Sequence, residues 1–399
     1  MTQSKHKSTT STDAVHAGIE RARAHHTLTP SIAQTATYTF ENTATLERYM
    51  RGEDPDPERE EYGRYGNPTV RELERRVAAL EGAEDAVAFA SGMAATSTTL
   101  LALLKAGDHV VLFHDCYRRT RQLVTQTLLR FGIEHTVVEP GNLAAMEAAI
   151  VPNTRLVVTE SPTNPLNFCV DLERLAGLAK SKGRIRTLVD STFATPVNSK
   201  PLQLGIDLVL HSATKYLSGH NDVLGGVVAG PAHLISLLRD TRGVVGSVLD
   251  PHAAFLIMRG LKTLALRVAR QNHSALALAR VLATHPKVAS VHYPWLESHP
   301  SFAIATAQMQ GGGAVVSFVV RGGRAAASRV VDAARIPQIA ASLGGVESLI
   351  EQPAIMSFSE LTDEALAKIG IDPALIRLSV GIEETDDLVQ DLLAALEKA

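Results

Sequence analysis

Lys215 follows a largely apolar run, residues 206–210, and two hydroxyl side chains stand just before it, Ser212 and Thr214. A run of this length suits one buried strand and is too short for a helix. A lysine that leaves a buried strand can simply occupy a surface loop. It can also form a Schiff base with pyridoxal phosphate, with the two hydroxyls donating to the phosphate. This stretch alone leaves both interpretations open.

Two further side chains could serve the same cofactor. Asp190 ends the apolar run 187–190, and Tyr117 follows a predicted strand at 108–113. An acid at a buried strand end costs several kcal/mol unless it is paired, so we expect a cationic partner such as a pyridinium nitrogen. Asp190 could equally cap the next turn. Tyr117 could stack on a pyridine ring or be an ordinary half-buried tyrosine.

The elements that must position these residues alternate between strand and helix patterns. The alternation predicts a mostly parallel sheet with helices on both faces. The predicted strands are 83–90, 108–113, 133–138, 155–159, 186–190 and 206–210, and the helices between them cover 70–81, 92–104, 119–130, 143–150 and 172–182. Ligands bind at the carboxyl ends of such strands. The polar residues expected there are Tyr117, Asn164, Asp190, Thr192 and Lys215.

The chain divides into three predicted parts. Residues 1–61 resemble an arm with little core of its own, which is expected to pack on another subunit. Residues 62–260 form the predicted large, cofactor-binding domain, and 261–399 a smaller α+β domain. A long helical segment at 251–282 should link the two. The smaller domain has predicted strands at 289–292, 314–320 and 375–380, and helices at 325–335 and 386–398.

Composition excludes several function classes. The net charge is −3, and lysine and arginine are scattered, which leaves no basic footprint for nucleic acid or membrane. Cys116 and Cys169 cannot form a disulfide framework, and no zinc-type spacing occurs, so no metal site is expected. Residues 1–12 lack the apolar segment of a secretory signal, and no run of about 18 apolar residues occurs. A soluble, cytoplasmic protein is expected.

Seven ordered segments together resemble the Cys/Met-metabolism family of pyridoxal-phosphate enzymes, and the likeness spans nearly the whole chain. They are residues 62–69, 91–93, 160–165, 189–196, 211–216, 342–348 and 376–382. The resemblance implies an α/β fold, that of fold type I pyridoxal-phosphate transferases, and pyridoxal phosphate as the cofactor. It turns Lys215 from a possible loop residue into the expected Schiff-base lysine.

The resemblance also implies roles for individual residues. Lys215 would hold the cofactor and move protons, and Asp190 would pair with the pyridine nitrogen. Tyr117 would stack on the ring and, as a catalytic residue, could deprotonate the incoming substrate amine. The other cofactor-binding residues would be Gly92, Met93, Thr192, Ser212 and Thr214. Arg377 would grip the substrate α-carboxylate, assisted by Asn164 and Ser342. Tyr62 and Arg64 would reach the cofactor of a neighbouring subunit, which implies a homo-oligomer, either a dimer or a tetramer.

Within the family, the likeness is greatest to enzymes of the cystathionine γ-synthase type. It implies γ-replacement on an activated homoserine with cysteine, and γ-elimination from another γ-substituted amino acid is the alternative. A non-catalytic member would lack the lysine, the aspartate or the arginine, and all three are present. Arg118 and Arg119 replace a common glycine pair and could recognise an anionic substituent, or they could be solvated. Ala341 replaces a glutamate that in some relatives meets a distal amino group.

Overall fold

The computed structural model describes residues 9–19, 26–56, 58–359 and 361–399. Part of the predicted arm, residues 1–8, 20–25 and 57, lies outside the described residues. The described chain contains a seven-stranded sheet and a five-stranded sheet. The domain boundaries at 61/62 and 260/261 stay a prediction.

The larger sheet carries the residues expected around the cofactor. Its strands are β1 (Asp85–Phe89), β2 (His109–Phe113), β3 (Glu134–Val138), β4 (Thr154–Glu160), β5 (Arg186–Asp190), β6 (Leu208–His211) and β7 (Gly226–Gly230). They lie side by side in the order β1-β7-β6-β5-β4-β2-β3. The run from β6 to β3 is parallel, whereas β7 is antiparallel to both of its neighbours, β1 and β6. The expected mostly parallel sheet is therefore confirmed.

Strand β7 is missing from the sequence-based expectation because glycine stands at both of its ends. Glycine weakens a strand pattern. Here both positions require it: a Cβ on Gly226 would lie 2.2 Å from the carbonyl oxygen of Ser91, and one on Gly230 would lie 2.6 Å from the Leu208 side chain. Close packing at its two ends therefore explains why β7 contains these glycines and why the sequence pattern did not predict it.

Helices cover both faces of the larger sheet. The N-terminal region contributes α1 (Ser11–His16) and α2 (Thr43–Met50), followed by α3 (Pro68–Glu81), α4 (Gly92–Leu103), α5 (Arg118–Gln122), α6 (Leu143–Ala149), α7 (Leu172–Ser181), α8 (Thr195–Asn198) and α9 (Ala232–Val245). Asn67 caps α3 through its side chain, and Pro68 opens the helix. Ser91 caps α4 by accepting from the Ala94 N–H, which fixes the turn beside β6.

The helix predicted at 119–130 is wrong as one regular helix. After α5 the chain continues as a π-helical turn at Leu123–Thr127 and a 3₁₀ turn at Leu128–Phe131. The Thr125 hydroxyl donates to the Arg121 carbonyl at 2.9 Å, a side-chain bond that competes with regular backbone bonding. Gly132 ends the segment at φ 74°.

The helical segment predicted at 251–282 is two helices, α10 (Pro251–Leu261) and α11 (Leu264–Thr284). They separate at Lys262 and Thr263, and the carbonyl of Gly260, in the last turn of α10, accepts from the Arg267 guanidinium at 2.8 Å. A Cβ at Gly260 would lie 2.0 Å from the Ser218 carbonyl oxygen, so the close approach of two backbones needs glycine there. This contact places α10 against the turn that carries Lys215.

The smaller sheet supplies the rest of the site. Its strands are β8 (Val288–His292), β9 (Val315–Val320), β10 (Gln338–Ile339), β11 (Leu349–Glu351) and β12 (Leu375–Ser379), in the order β10-β11-β12-β9-β8. The helices of this part are α12 (Phe302–Gln308), α13 (Gly323–Ala333), α14 (Pro353–Met356), α15 (Asp363–Lys368) and α16 (Thr385–Leu396). Among the described residues, no helix is both long and apolar enough to cross a membrane.

Candidate active site

Lys215 lies on the turn that follows β6, inside a cavity of about 390 Å³. Its Nζ donates to the Ser342 hydroxyl at 2.6 Å. Burial, with a further contribution from the positive charge of Arg377, lowers the pKa of Lys215 to about 8. Near neutral pH the amine is therefore far easier to deprotonate than an ordinary lysine, which is what a Schiff-base lysine needs.

Asp190 ends β5, the strand beside β6, and reaches the same cavity. Its Oδ1 accepts from the backbone N–H of Thr192 at 3.0 Å and from the Thr192 hydroxyl at 2.5 Å. Burial raises the pKa of Asp190, and the two Thr192 bonds oppose that rise. No lysine or arginine of the described residues bonds to this carboxylate, which leaves it able to pair with a cationic group of a bound ligand.

The turn between β1 and α4 faces Lys215 across the cavity. Gly92, Met93, Ser212 and Thr214 all line it. A Cβ on Gly92 would lie 2.9 Å from both Cβ and Oγ of Ser212, so only glycine leaves this cradle open. The start of α4 points backbone N–H groups to the cradle, a favourable place for a phosphate. The Thr214 hydroxyl also accepts from the Gly225 N–H at 3.0 Å.

Tyr117 stands at the mouth of the cavity with 43% of its surface exposed. Its backbone N–H donates to the Glu160 Oε2 at 2.8 Å. Glu160 is buried at the end of β4, opposite Asp190 in the strand register. Burial and the charge of Asp190 raise the pKa of Glu160 well above its usual range. Sequence reasoning gave Glu160 no role, although it ends a strand and opens the 160–165 segment.

Arg377 comes from β12 of the smaller sheet and is 95% buried, since its relative exposure is 5%. Its Nη1 donates to the Asn164 Oδ1 at 3.0 Å, and its Nη2 donates to the Ser342 carbonyl at 3.1 Å. Ser342 adopts φ 130°, an uncommon backbone angle for serine. The residues expected at the α-carboxylate thus lie together beside Lys215. Glu351 pairs with Arg377 at 2.9 Å and was given no role from the sequence.

The comparison with known protein families identifies the family to which the chain belongs. Residues 11–397 match the family model described as Cys/Met metabolism PLP-dependent enzyme. The chain belongs to this family. The resemblance inferred from the sequence is confirmed, and with it the dependence on pyridoxal phosphate.

Individual members of the Cys/Met metabolism family show how far the likeness extends. The chain is 48% identical to cystathionine gamma-synthase 1 of Nicotiana tabacum, over 96% of this chain and 71% of that one. It is 42% identical to L-methionine gamma-lyase of Fusobacterium nucleatum, over 98% and 99%. The crystal structure of metB from Corynebacterium glutamicum matches with a TM-score of 0.90 at 38% identity, covering 97% of each chain. The expected α/β fold, that of fold type I pyridoxal-phosphate enzymes, is confirmed.

The residues present fit the cofactor of this family. A lysine of lowered pKa, a buried carboxylate without a cationic partner of its own and a glycine-lined cradle surround one cavity. These are the groups needed to hold an aldehyde carbon, a pyridine nitrogen and a phosphate, respectively. The roles of single residues stay predictions.

The remaining predicted residues divide between the cavity and the surface. Arg118 and Ala341 line the cavity with Lys215, whereas Arg119 lines a neighbouring depression and bonds Gln122 at 2.6 Å. Tyr62 and Arg64 are not among the lining residues. Arg64 instead donates to the Gly243 carbonyl at 2.5 Å and lies over the Tyr65 ring at 4.7 Å.

Proposed function

We propose that this enzyme catalyses γ-replacement, in which the thiol of cysteine displaces the substituent of an activated homoserine. The observation that carries the proposal is one cavity that holds Lys215 together with two guanidinium groups, Arg377 and Arg118. Two cationic groups suit a substrate with an α-carboxylate and a separate anionic γ-substituent. The high identity to a cystathionine gamma-synthase supports the same assignment.

Each role follows from the chemistry of the residue. Bound pyridoxal phosphate would supply the electron sink that makes the α-proton acidic. Lys215 Nζ, with a pKa of about 8, is suited to remove protons from Cα and Cβ and to return them. Arg377 would orient the substrate through its carboxylate, and Asp190 would keep the pyridine nitrogen protonated. Tyr117 would cover the ring and exclude water from one side.

We propose that the active site is completed by a second copy of the chain. Tyr62 is 42% exposed, and Arg64 is anchored away from the cavity of its own chain. Large apolar side chains of the same region are also exposed, including Leu28 at 92% and Met50 at 65%. A homo-oligomer would bury them, and the exposed Tyr62 and the half-buried Arg64 could then reach the partner's cofactor.

We also propose a cytoplasmic location. Cys116 and Cys169 are both buried and unbridged. Two free thiols in one chain suit a reducing compartment. Fractionation of the native cells, with detection of the protein by antibody, would test the assignment.

A second function, γ-elimination, is favoured by Ala341. This small side chain lines the cavity where a carboxylate could otherwise meet the amino group of a second amino acid. Without such a contact, water and a proton could replace the thiol, which would release 2-oxobutanoate and ammonia. The 42% identity to a methionine gamma-lyase is consistent with this alternative.

A substrate panel separates the two functions. The holoenzyme would be given O-succinyl-, O-acetyl- and O-phosphohomoserine with and without cysteine, and separately methionine and cystathionine. Formation of a coupled thioether, exceeding 2-oxobutanoate when cysteine is present, supports γ-replacement. Release of 2-oxobutanoate at an equal rate with and without cysteine refutes it. Lys215→Ala serves as the inactive control.

A further inference from the structure

The guanidinium of Arg377 has a negatively charged partner within the protein. Glu351 lies on β11 directly opposite Arg377 on β12 in the antiparallel register. Its Oε1 lies 2.9 Å from the Arg377 Nη2, and the two side chains are only 2% and 5% exposed. Both residues also line the cavity of Lys215. The arginine expected to bind the substrate carboxylate is thus already paired with a carboxylate.

The other partners of Arg377 are neutral. Asn164 offers an amide oxygen and Ser342 a backbone carbonyl. Among the described residues, the Arg377 Nε and the Glu351 Oε2 have no hydrogen-bond partner although both atoms are buried. Within the described part of the chain, Glu351 is therefore the carboxylate that forms an ion pair with the buried guanidinium, and Glu160 acts on it only through its charge.

An arriving α-carboxylate must share this guanidinium with Glu351. Two carboxylates on one arginine repel each other, and burial strengthens the repulsion because little water screens it. Burial raises the pKa of Glu351, and the positive charges of Arg377 and, less strongly, of Arg118 oppose that rise.

We propose that Glu351 sets how tightly the site binds its substrate, because it competes with the substrate α-carboxylate for Arg377. It holds the arginine in place when the site is empty and weakens the binding of every carboxylate ligand. The inference rests on the proposed function only in taking Arg377 as the carboxylate-binding residue. A purely structural role for Glu351 predicts the opposite result. Loss of a structural contact would weaken carboxylate binding, whereas loss of a competing carboxylate would strengthen it.

The test compares carboxylate binding in the holoenzyme of the wild type and of Glu351→Gln. Glutamine keeps an oxygen that accepts from Arg377 and removes the charge. Butanoate is the probe, because it has the substrate's carboxylate but neither its amino group nor its leaving group. Its Kd would be measured by the change in absorbance of the bound cofactor, and by its competition with the amino-acid substrate. We expect the Kd of butanoate to fall roughly tenfold and KM to fall with it, while kcat changes less.

Three controls make the result decisive. Glu347→Gln is the same substitution on an exposed residue of the same segment, where the side chain accepts from Asn221, and it should leave the Kd unchanged. Glu351→Asp keeps the charge and should bind butanoate as weakly as the wild type. Glu351→Ser removes the charge with a smaller side chain and should bind more tightly, which also covers the case that the glutamine variant does not fold.

A Kd that stays constant or rises in both neutral variants overturns the proposal. If the wild-type enzyme catalyses γ-replacement with none of the substrates but Glu351→Gln binds butanoate more tightly, the proposed function is refuted and the role of Glu351 stands. The two failures are therefore distinguishable.

Discussion

The low pKa of Lys215 leads to a quantitative prediction about how the apoenzyme takes up its cofactor. Only a neutral amine can attack the aldehyde of pyridoxal phosphate. With a pKa of about 8, Lys215 is half neutral at pH 8, whereas an ordinary lysine of pKa 10.5 is on the order of 0.3% neutral. The buried lysine should therefore react roughly a hundred times faster than an exposed one at that pH.

The assay follows the absorbance of the bound cofactor after pyridoxal phosphate is mixed with apoenzyme between pH 6 and pH 10. We expect the rate to rise with pH and to be half-maximal near pH 8. Arg377 contributes to the lowering, so Arg377→Met should move the midpoint upward while burial keeps it below 10.5. Lys262→Met removes a positive charge outside the cavity lining and should not move it. A wild-type midpoint near 10.5, or no shift in Arg377→Met, would refute the reasoning.

Further outcomes are expected for substitutions of three residues. Asp190→Asn removes the charge that we propose stabilises a protonated pyridine nitrogen, so kcat/KM should fall about 100-fold or more, and a loss below threefold would exclude that role. Glu74→Ala leaves the buried Arg242 guanidinium, 2.8 Å from Glu74 Oε1, without its charge partner, so the free energy of unfolding should fall by about 4 kcal/mol in denaturant titrations. Burial raises the pKa of Glu74, but the charges of Arg242, Arg71 and Arg239 outweigh burial and hold the pKa below 4.5. The ionised Glu74 therefore stabilises the fold above pH 4.5, and this contribution is lost as the pH falls below that value. The stability of Glu74→Gln should not show this loss at low pH. Arg119→Glu should raise KM for an anionic homoserine ester much more than for methionine, and equal increases would contradict an anion-binding role.

The cofactor side of the site could be predicted because its geometry follows from local patterns. Asp190 and Lys215 both stand at or just beyond the carboxyl ends of strands, and adjacent parallel strands bring such ends to one edge of the sheet. Apolar runs and the alternation with helices suffice to find those strands. The same rule applied to the end of β4 would have found Glu160, which bonds the Tyr117 backbone.

Apart from Asn164, which follows a predicted strand, the substrate side could not be predicted from local patterns. The bond between Lys215 and Ser342 joins residues 127 positions apart, and it exists only because the two sheets dock. The pairing of Glu351 with Arg377 depends on the register of two short strands, one of which, β11, has only three residues. Strand β7 was hidden by glycines that long-range contacts require. Family resemblance supplied Arg377 and Ser342, whereas the charge of Glu351 needed the structure.

The way the two sheets dock indicates where substrate choice can vary. A Cβ on Gly344, which adopts φ 78°, would lie 2.7 Å from the Tyr216 backbone nitrogen, so the segment with Ser342 is packed tightly against the turn with Lys215. Gln271 of α11 fixes the same region by donating to the carbonyls of Gly345 and Val380. Substitutions in such a buried junction would disturb the cofactor and the α-carboxylate together. We therefore expect the leaving group and the thiol to be selected by cavity-lining side chains that are less buried, such as the half-buried Arg118 and the exposed Ala341.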